Sequence, residues 1–247
     1  MPDGKTSPRL YFPGVLAAGS TCVLPAAQAH HAARVRRLRP GEAVTLFNGE
    51  GGEYAAVITG VVRDRVTLDV GARAEVDRES AIGVTLAQAI SSGERMDFTV
   101  QKAVELGVAA IQPLTSSRSV VRLAAERAER RVAHWRTVVT HSCEQSGRNR
   151  VPSVAAVAAL PEWLARPAPG ALRVMLSPGA PRRLRDLPPP PGGIVLLAGP
   201  EGGFSADERE LAEGAGFLPV RLGPRVLRTE TAALAALAAL HALWGDF

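Results

Sequence analysis

The chain has 247 residues, 46% of them hydrophobic and 21% charged, and its 29 Lys and Arg against 24 Asp and Glu give a net charge of +5. That is ample chain for a real core, as one large domain or two small ones. Cys22 and Cys143 stand far apart and match no metal-ligand spacing, so no metal and a reduced, cytoplasmic setting are expected. The N-terminus carries a lysine with no apolar core behind it, so no signal peptide is read there.

Nearly all the positive charge is arginine, the only lysines being Lys5 and Lys102. Arginine suits bidentate phosphate contacts and stacking on bases, so the basic balance permits a nucleic-acid partner. A coding bias toward Arg and Ala accounts for it equally well.

Arg9 to Phe12 reads as a short strand stopped by Pro13-Gly14. Pro25 to Leu38 has helical character and ends before Pro40-Gly41. On it His31, Arg34 and Arg37 recur at helical spacing, either as a solvated face or as a phosphate-binding patch. From Glu42 the period changes to two. Val44 and Leu46, then Tyr54, Ala56 and Ile58, then Val66, Leu68 and Val70 alternate along three runs. Asn48-Gly49 and Arg63-Asp64 supply the turns, and together these runs predict a small antiparallel barrel. The glycines at 49, 51 and 52 lack the strand-then-helix context of a dinucleotide site and read as turn chemistry.

Glu75 to Ser80 is charged and poor in apolar residues, which sets a domain boundary dividing residues 1–76 from 77–247. Beyond it strands and helices alternate, as in an α/β fold with a largely parallel sheet. Val84 to Ala89, Ala110 to Leu114 and Arg173 to Leu176 are strands. Glu94 to Leu106 is a helix closed by Gly107, and Leu123 to about Cys143 a long helix. Pro181 to Gly193, with four prolines from Pro188 to Pro191, reads as a stiff surface connection without function.

Two stretches near the C-terminus share one local pattern. Ile194 to Leu197 leads into Gly199-Pro200-Glu201-Gly202-Gly203-Phe204-Ser205, and Phe217 to Leu222 leads into Gly223-Pro224-Arg225-Val226-Leu227-Arg228-Thr229-Glu230-Thr231-Ala232. In each, an apolar strand meets a Gly/Pro turn and a helix follows. Ser205 and Glu208 have the spacing of a capping box, and Gly202 and Gly203 let a ligand approach the main chain. Two such loops side by side would line a crevice with backbone groups. From Thr231 to Trp244, leucines at 234, 237, 240 and 243 repeat among alanines, so the last helix is apolar nearly all round. It is too short to span a membrane and predicts a buried helix or a subunit interface.

The paired loops resemble the cofactor motifs of the SPOUT-class (trefoil-knot) methyltransferases, and more narrowly the small-subunit ribosomal RNA uridine-N3 methyltransferases. Further matches are Arg95 to Phe98 with Gln101 to Val108, Ser117-Arg118-Ser119, Cys143 to Arg148, and the His31 to Asn48 stretch, where the family has a PUA-like RNA-binding barrel. The resemblance implies a C-terminal α/β domain with a deep trefoil knot behind that N-terminal barrel. It implies S-adenosylmethionine (SAM) held by Leu176, Ser177, Gly199, Pro200, Glu201, Gly202, Leu222, Gly223, Val226 and Leu227. RNA contacts are implied at Arg9, His31, Arg34, Arg37, Arg118 and Arg148, with 16S rRNA or the 30S subunit as the partner and a homodimer as the assembly. Arg228 and Glu230, the ionisable groups nearest the cofactor loop, are the catalytic candidates. Arg228 suits a phosphate or a developing uracil anion, and Glu230 also suits the helix dipole. No residue stands out as the proton acceptor.

No Rossmann glycine fingerprint and no P-loop Gly-Lys-Ser/Thr is present. The remaining alternatives are a knotted enzyme acting on ribose 2′-oxygen and a non-catalytic RNA-binding or ribosome-assembly protein.

Overall fold

A computed structural model describes residues 7–63, 65–119, 125–167 and 169–247. Lys5, Asp64 and the expected helix start at Leu123 lie outside them. The chain divides into two compact units, Met1–Glu79 with Cys143–Val151, and Ser80–Ser142 with Pro152–Phe247.

The first unit holds β1 (Arg9–Tyr11), β2 (Thr21–Val23), α1 (Ala26–His30), β3 (Ala43–Phe47), β4 (Glu53–Val62) and β5 (Arg65–Ala74). They form one five-stranded sheet in the order β1-β3-β4-β5-β2. The period-2 residues from Val44 to Val70 named above are all buried and make the core with Leu10 and Leu24. Gly49, Gly51 and Gly52 between β3 and β4 all have positive φ, so this cluster is turn chemistry as read. Two pairings were not foreseen. β1 runs parallel to β3, which makes the sheet mixed, and β2 adds antiparallel to β5. Three residues are too few for a period to show.

The helix expected through Leu38 ends early. After α1 the chain continues as a wide π-turn over His31–Val35, with Arg36 N–H donating to the His31 carbonyl at 3.0 Å, and Arg37 is left-handed with φ 53°. His31, Arg34 and Arg37 therefore do not share one α-helical stripe, because the wider turn and the reversal at Arg37 shift their azimuths.

The segment Cys143–Val151 builds on this unit by long-range bonds. The Tyr11 N–H donates to Glu144 Oε1 at 3.0 Å, and Asn149 Nδ2 donates to Glu53 Oε2 at 3.1 Å and to the Val76 carbonyl at 2.9 Å. Burial pushes the Cys143 thiol up to about 12, so it is a packing residue and no nucleophile.

The second unit holds β6 (Val84–Ala89), α2 (Arg95–Glu105), β7 (Ala110–Thr115), α3 (Ala125–Ser146, its last turn belonging to the first unit), β8 (Ser153–Val154), β9 (Ala158–Ala159), α4 (Leu160–Leu164), β10 (Leu172–Leu176), β11 (Ile194–Ala198), α5 (Ala206–Gly214), β12 (Leu218–Val220) and α6 (Thr229–Trp244). Every ladder is parallel, in the order β12-β10-β11-β6-β7-β8, with β9 also on β7. β11 is buried at all five positions, as a parallel strand covered on both faces must be.

β10, β11 and β12 follow one another in sequence but stand in the order β12-β10-β11, so the chain leaving β11 crosses β10 to reach β12. The connection from Pro181 to Gly193 is not the plain surface link expected. Leu184 and Leu187 are buried, the Leu184 N–H donates to the Arg221 carbonyl at 3.2 Å, and the Arg221 N–H returns to the Arg182 carbonyl at 2.9 Å. The Arg221 guanidinium also donates to the Ala180 carbonyl at 2.5 Å. α6 then packs on α2, β11, β6 and the short turn Leu184–Asp186.

α6 is not buried all round within one chain. Ala233, Ala236, Leu237, Leu240 and His241 face inward, whereas Thr231, Ala235, Ala242 and Leu243 are exposed. His241 Nδ1 lies 2.9 Å from Ser80 Oγ and ties the end of α6 to the start of the unit. Among the described residues no helix is long and apolar enough to cross a membrane, and no cluster of three His, Cys, Asp or Glu is placed to hold a metal.

Candidate cofactor and RNA site

The carboxyl ends of β10, β11 and β12 open on a cavity of about 620 Å³, the place where open parallel sheets bind ligands. All ten residues expected to hold a cofactor line it, and so do Arg228 and Glu230. The two glycine loops are not neighbours in the sheet, however. β10 stands between their strands, so its Leu176-Ser177-Pro178 turn joins the lining between them.

The loop after β11 is fixed by specific contacts. Gly203 needs its glycine, with φ 65°. A Cβ on Gly199 would come within 3.3 Å of the Phe204 ring, and one on Gly202 within 3.3 Å of Arg118 Cβ. The Glu201 carboxylate is engaged by neighbouring donors. Oε1 accepts from the Ser92 N–H and hydroxyl and from Arg95 Nη1, each at 2.9 Å. Burial alone would raise its pKa, but these donors outweigh that and hold it below the usual carboxylate value. Glu201 thus fastens its loop to the start of α2.

The capping box forms as read. The Glu208 N–H donates to Ser205 Oγ at 3.1 Å and the Ser205 N–H to Glu208 Oε2 at 2.9 Å. Glu208 Oε1 also accepts the Ser117 N–H at 2.7 Å, a bond no local pattern shows.

Thr229 joins two of the loops to the centre of the sheet. Its hydroxyl donates to the Gly199 carbonyl at 2.5 Å and accepts from Gln88 Nε2 at 3.1 Å. Gln88 is fully buried on β6, and its amide also reaches the Ala89 carbonyl at 2.9 Å. Arg228 and Glu230, one residue to either side of Thr229, take their positions from this anchor. Glu230 is half-buried, and its Oε2 is buried with no hydrogen-bond partner among the described residues.

The arginines of the cavity fall into two groups. Arg95 is held by Glu201, Arg118 by the Gly202 carbonyl at 3.1 Å, Arg209 by the Phe204 carbonyl at 2.8 Å, and Arg221 as above. Arg225 and Arg228 are exposed, and their guanidiniums make no hydrogen bond or ion pair among the described residues. These two guanidiniums are available to an anion.

The residues expected to contact RNA are divided between the two units. Arg118 belongs to the cavity wall. Arg9 donates to Glu53 at 2.6 Å and lies over the Phe47 ring, 5.0 Å from its centroid. Arg148 is 5% exposed with its guanidinium on Glu79. Both guanidiniums brace the first unit. Arg34 and Arg37 are exposed on that unit, and His31 Nε2 accepts from Arg36 Nε at 3.2 Å.

Sequence reasoning gave no site role to Arg95, Arg209, Arg225, Gln88 or Thr229. Gln88 had one visible signal, an amide inside an apolar strand, which demands a buried partner. Arg225 sat unremarked within the second loop motif.

A parallel α/β unit with a cavity at its carboxyl edge, rimmed by two exposed arginines, places the chain in the class of open-sheet α/β proteins that bind ligands at the strand ends. The comparisons narrow this class. An RNA methyltransferase domain matches residues 78–241 and an RNA methyltransferase PUA domain residues 24–71. The chain belongs to the RNA methyltransferase family. The ribosomal RNA small subunit methyltransferase E of Mycobacterium tuberculosis is 35% identical over 91% of this chain and 87% of that protein. That of Buchnera aphidicola is 32% identical over 98% of both. Among solved structures, the ribosomal RNA small subunit methyltransferase E of Neisseria gonorrhoeae bound to SAM is 44% identical, with a TM-score of 0.92 over 98% of this chain and 100% of that one. A SAM-bound methyltransferase of Legionella pneumophila is 41% identical, with a TM-score of 0.95 over the same shares.

Proposed function

We propose that this chain transfers the methyl group of SAM to N3 of a uridine in 16S ribosomal RNA. The observation that carries the proposal is the cavity whose lining unites all ten expected cofactor residues with Arg228 and Glu230. Its walls fit SAM. Leu176, Pro200, Leu222 and Leu227 give apolar faces for a flat heterocycle, and the glycines bring the backbone up to the cavity surface. SAM, when bound, supplies an electrophilic methyl group. The protein holds and orients the reactants. N3 lies on the pairing edge of uracil, so the base is taken from its stack or met unpaired. Arg228 and Arg225 meet the negative charge of the RNA backbone and of the uracil oxygens.

The first unit is the RNA-docking barrel in this reading, with Arg34, Arg37 and His31 toward phosphates and the boundary near residue 76. The exposed apolar side of α6, including Ala235 and Leu243, supports a homodimer, which sedimentation at low micromolar concentration would detect. A trefoil knot is supported by the bonds that tie the Ala180–Leu187 stretch to Arg221, upstream of α6. The cytoplasm, where rRNA is modified, is the proposed location.

The test is transfer of labelled methyl from SAM into 30S subunits, followed by mapping and mass spectrometry of the nucleosides. 3-Methyluridine is expected. A ribose 2′-O-methyl product, or SAM binding without transfer, would overturn the assignment.

A further inference from the structure

The cavity wall from Arg225 to Glu230 contains one acid among donors. Glu201, the other carboxylate of the lining, has its Oε1 engaged by Ser92 and Arg95, whereas Glu230 Oε2 is buried and accepts no bond among the described residues. A buried acceptor left without a donor costs about 1–3 kcal/mol, and because Glu230 lines the cavity a ligand that donates would offset that cost. The position is fixed from behind, since the neighbouring Thr229 is held by Gly199 and Gln88. The same wall is exposed at Arg225, Val226 and Arg228, so it is the side a large substrate can reach.

Resting on the function proposed above, we infer that Glu230 is the group that receives the N3 proton of the target uracil. Uracil presents a particular pattern on that edge: N3–H is a donor between two carbonyl acceptors. Arginine donors match the carbonyls, and a carboxylate, an acceptor only, matches N3–H. The N3–H bond breaks as an O–H bond forms at Oε2. The pair left on N3 becomes its bond to the methyl carbon, and the carbon–sulfur pair stays with sulfur. The same contact selects the base. Cytosine presents an unprotonated N3 acceptor, which would face the carboxylate lone pairs with nothing to donate.

A second reading gives Oε2 to the ammonium group of SAM, and a third leaves Glu230 to the dipole of α6. One set of measurements separates them: SAM affinity by calorimetry without RNA, and single-turnover methylation of 30S subunits between pH 6 and 9, for wild type, Glu230→Gln and Glu230→Asp. The inference expects Glu230→Gln to keep SAM affinity within about twofold and to lose about 10²-fold or more in rate, the usual range for a lost general base. The deficit should shrink as pH rises and hydroxide takes over the proton. Glu230→Asp should recover part of the rate. A parallel loss of SAM affinity would assign the oxygen to the cofactor and overturn the inference. So would an unchanged rate, or a deficit that ignores pH. If wild type neither binds SAM nor methylates the subunit, the functional assignment itself has failed, which is a distinct result.

Discussion

Thr229 Oγ1 stands 2.5 Å from the carbonyl oxygen of Gly199, and that single bond joins the first residue of α6 to the loop after β11. Through it the chain segment carrying Arg228 and Glu230 is registered against the backbone that faces the cofactor. Gln88 completes the link from β6, so three elements far apart in sequence share one polar centre in an apolar sheet. A hydrogen-bonded buried centre of this kind fixes geometry, although Gln88 Oε1 has no partner among the described residues, and a broken one leaves further groups unpaired.

Thr229→Val keeps shape and volume but removes the hydroxyl. The Gln88 amide and the Gly199 carbonyl both lose a partner, so about 1–3 kcal/mol of stability should go. For a chain of this size that lowers Tm by roughly 2–4 °C per kcal/mol. SAM affinity and turnover should fall together, and Thr229→Ser should restore both. Calorimetry and thermal melts on the two variants check this.

At Gly202 a Cβ already meets Arg118 Cβ at 3.3 Å, and a branched side chain extends further into the same space. Gly202→Val should push Arg118 off the Gly202 carbonyl, distort the loop and abolish SAM binding while the sheet stays folded. Gly203→Ala should act differently, through the strain of a positive φ, at a cost of about 1 kcal/mol. Circular dichroism with SAM titration distinguishes a lost site from a lost fold.

Three carboxylates set the acid limit of stability. At Glu53, Glu201 and Glu208 burial pushes the pKa up, but hydrogen bonds outweigh it and leave the folded-state value below the ordinary 4.5. At Glu53 the donors are Arg9, Asn149 and Arg78. A lowered folded-state pKa stabilises above the unfolded value, and that stability is lost as pH falls through the folded one. Tm should therefore hold steady with respect to these groups from pH 7 to about 5 and decline below pH 4.5. Glu53→Gln should lower Tm at pH 7 and flatten the acid decline.

Arg148 and the pair Arg34 and Arg37 should fail in opposite ways. Arg148→Ala leaves Glu79 beside an emptied ion-pair site, and breaking a buried pair costs about 3–5 kcal/mol. The loss should appear as a large drop in Tm. Arg34→Ala with Arg37→Ala, both exposed, should cost far less in Tm, weaken RNA binding and flatten its salt dependence by about 0.7–0.9 for each phosphate no longer neutralised. Binding titrations at several salt concentrations, alongside melts, separate the two.

Much of the architecture was legible in the chain because its causes are local. The alternation of Val44, Leu46 and the residues after them, the glycine stop at Gly107, and the Ser205–Glu208 box act over two to four residues, which a sequence displays directly. The cofactor loops were legible for the same reason. The helix through Leu38 was misread because a π-turn has the same residues as an α-turn and differs only in which carbonyl each N–H finds.

What the sequence determined by itself was the set of elements and the loops that carry the site, since short-range sterics and hydrogen bonds specify both. The tertiary structure decided the task of each charged side chain. Arg9, Arg118, Arg148 and Arg228 are alike as letters, yet one is a core strut, one a loop clamp, one a buried ion pair and one free at the cavity. The structure also inserted β10 between the two glycine loops and brought Gln88 to Thr229 across 141 residues. Partners at such separations are chosen by packing and topology, and a guanidinium's role depends on which carboxylate or carbonyl that packing places beside it.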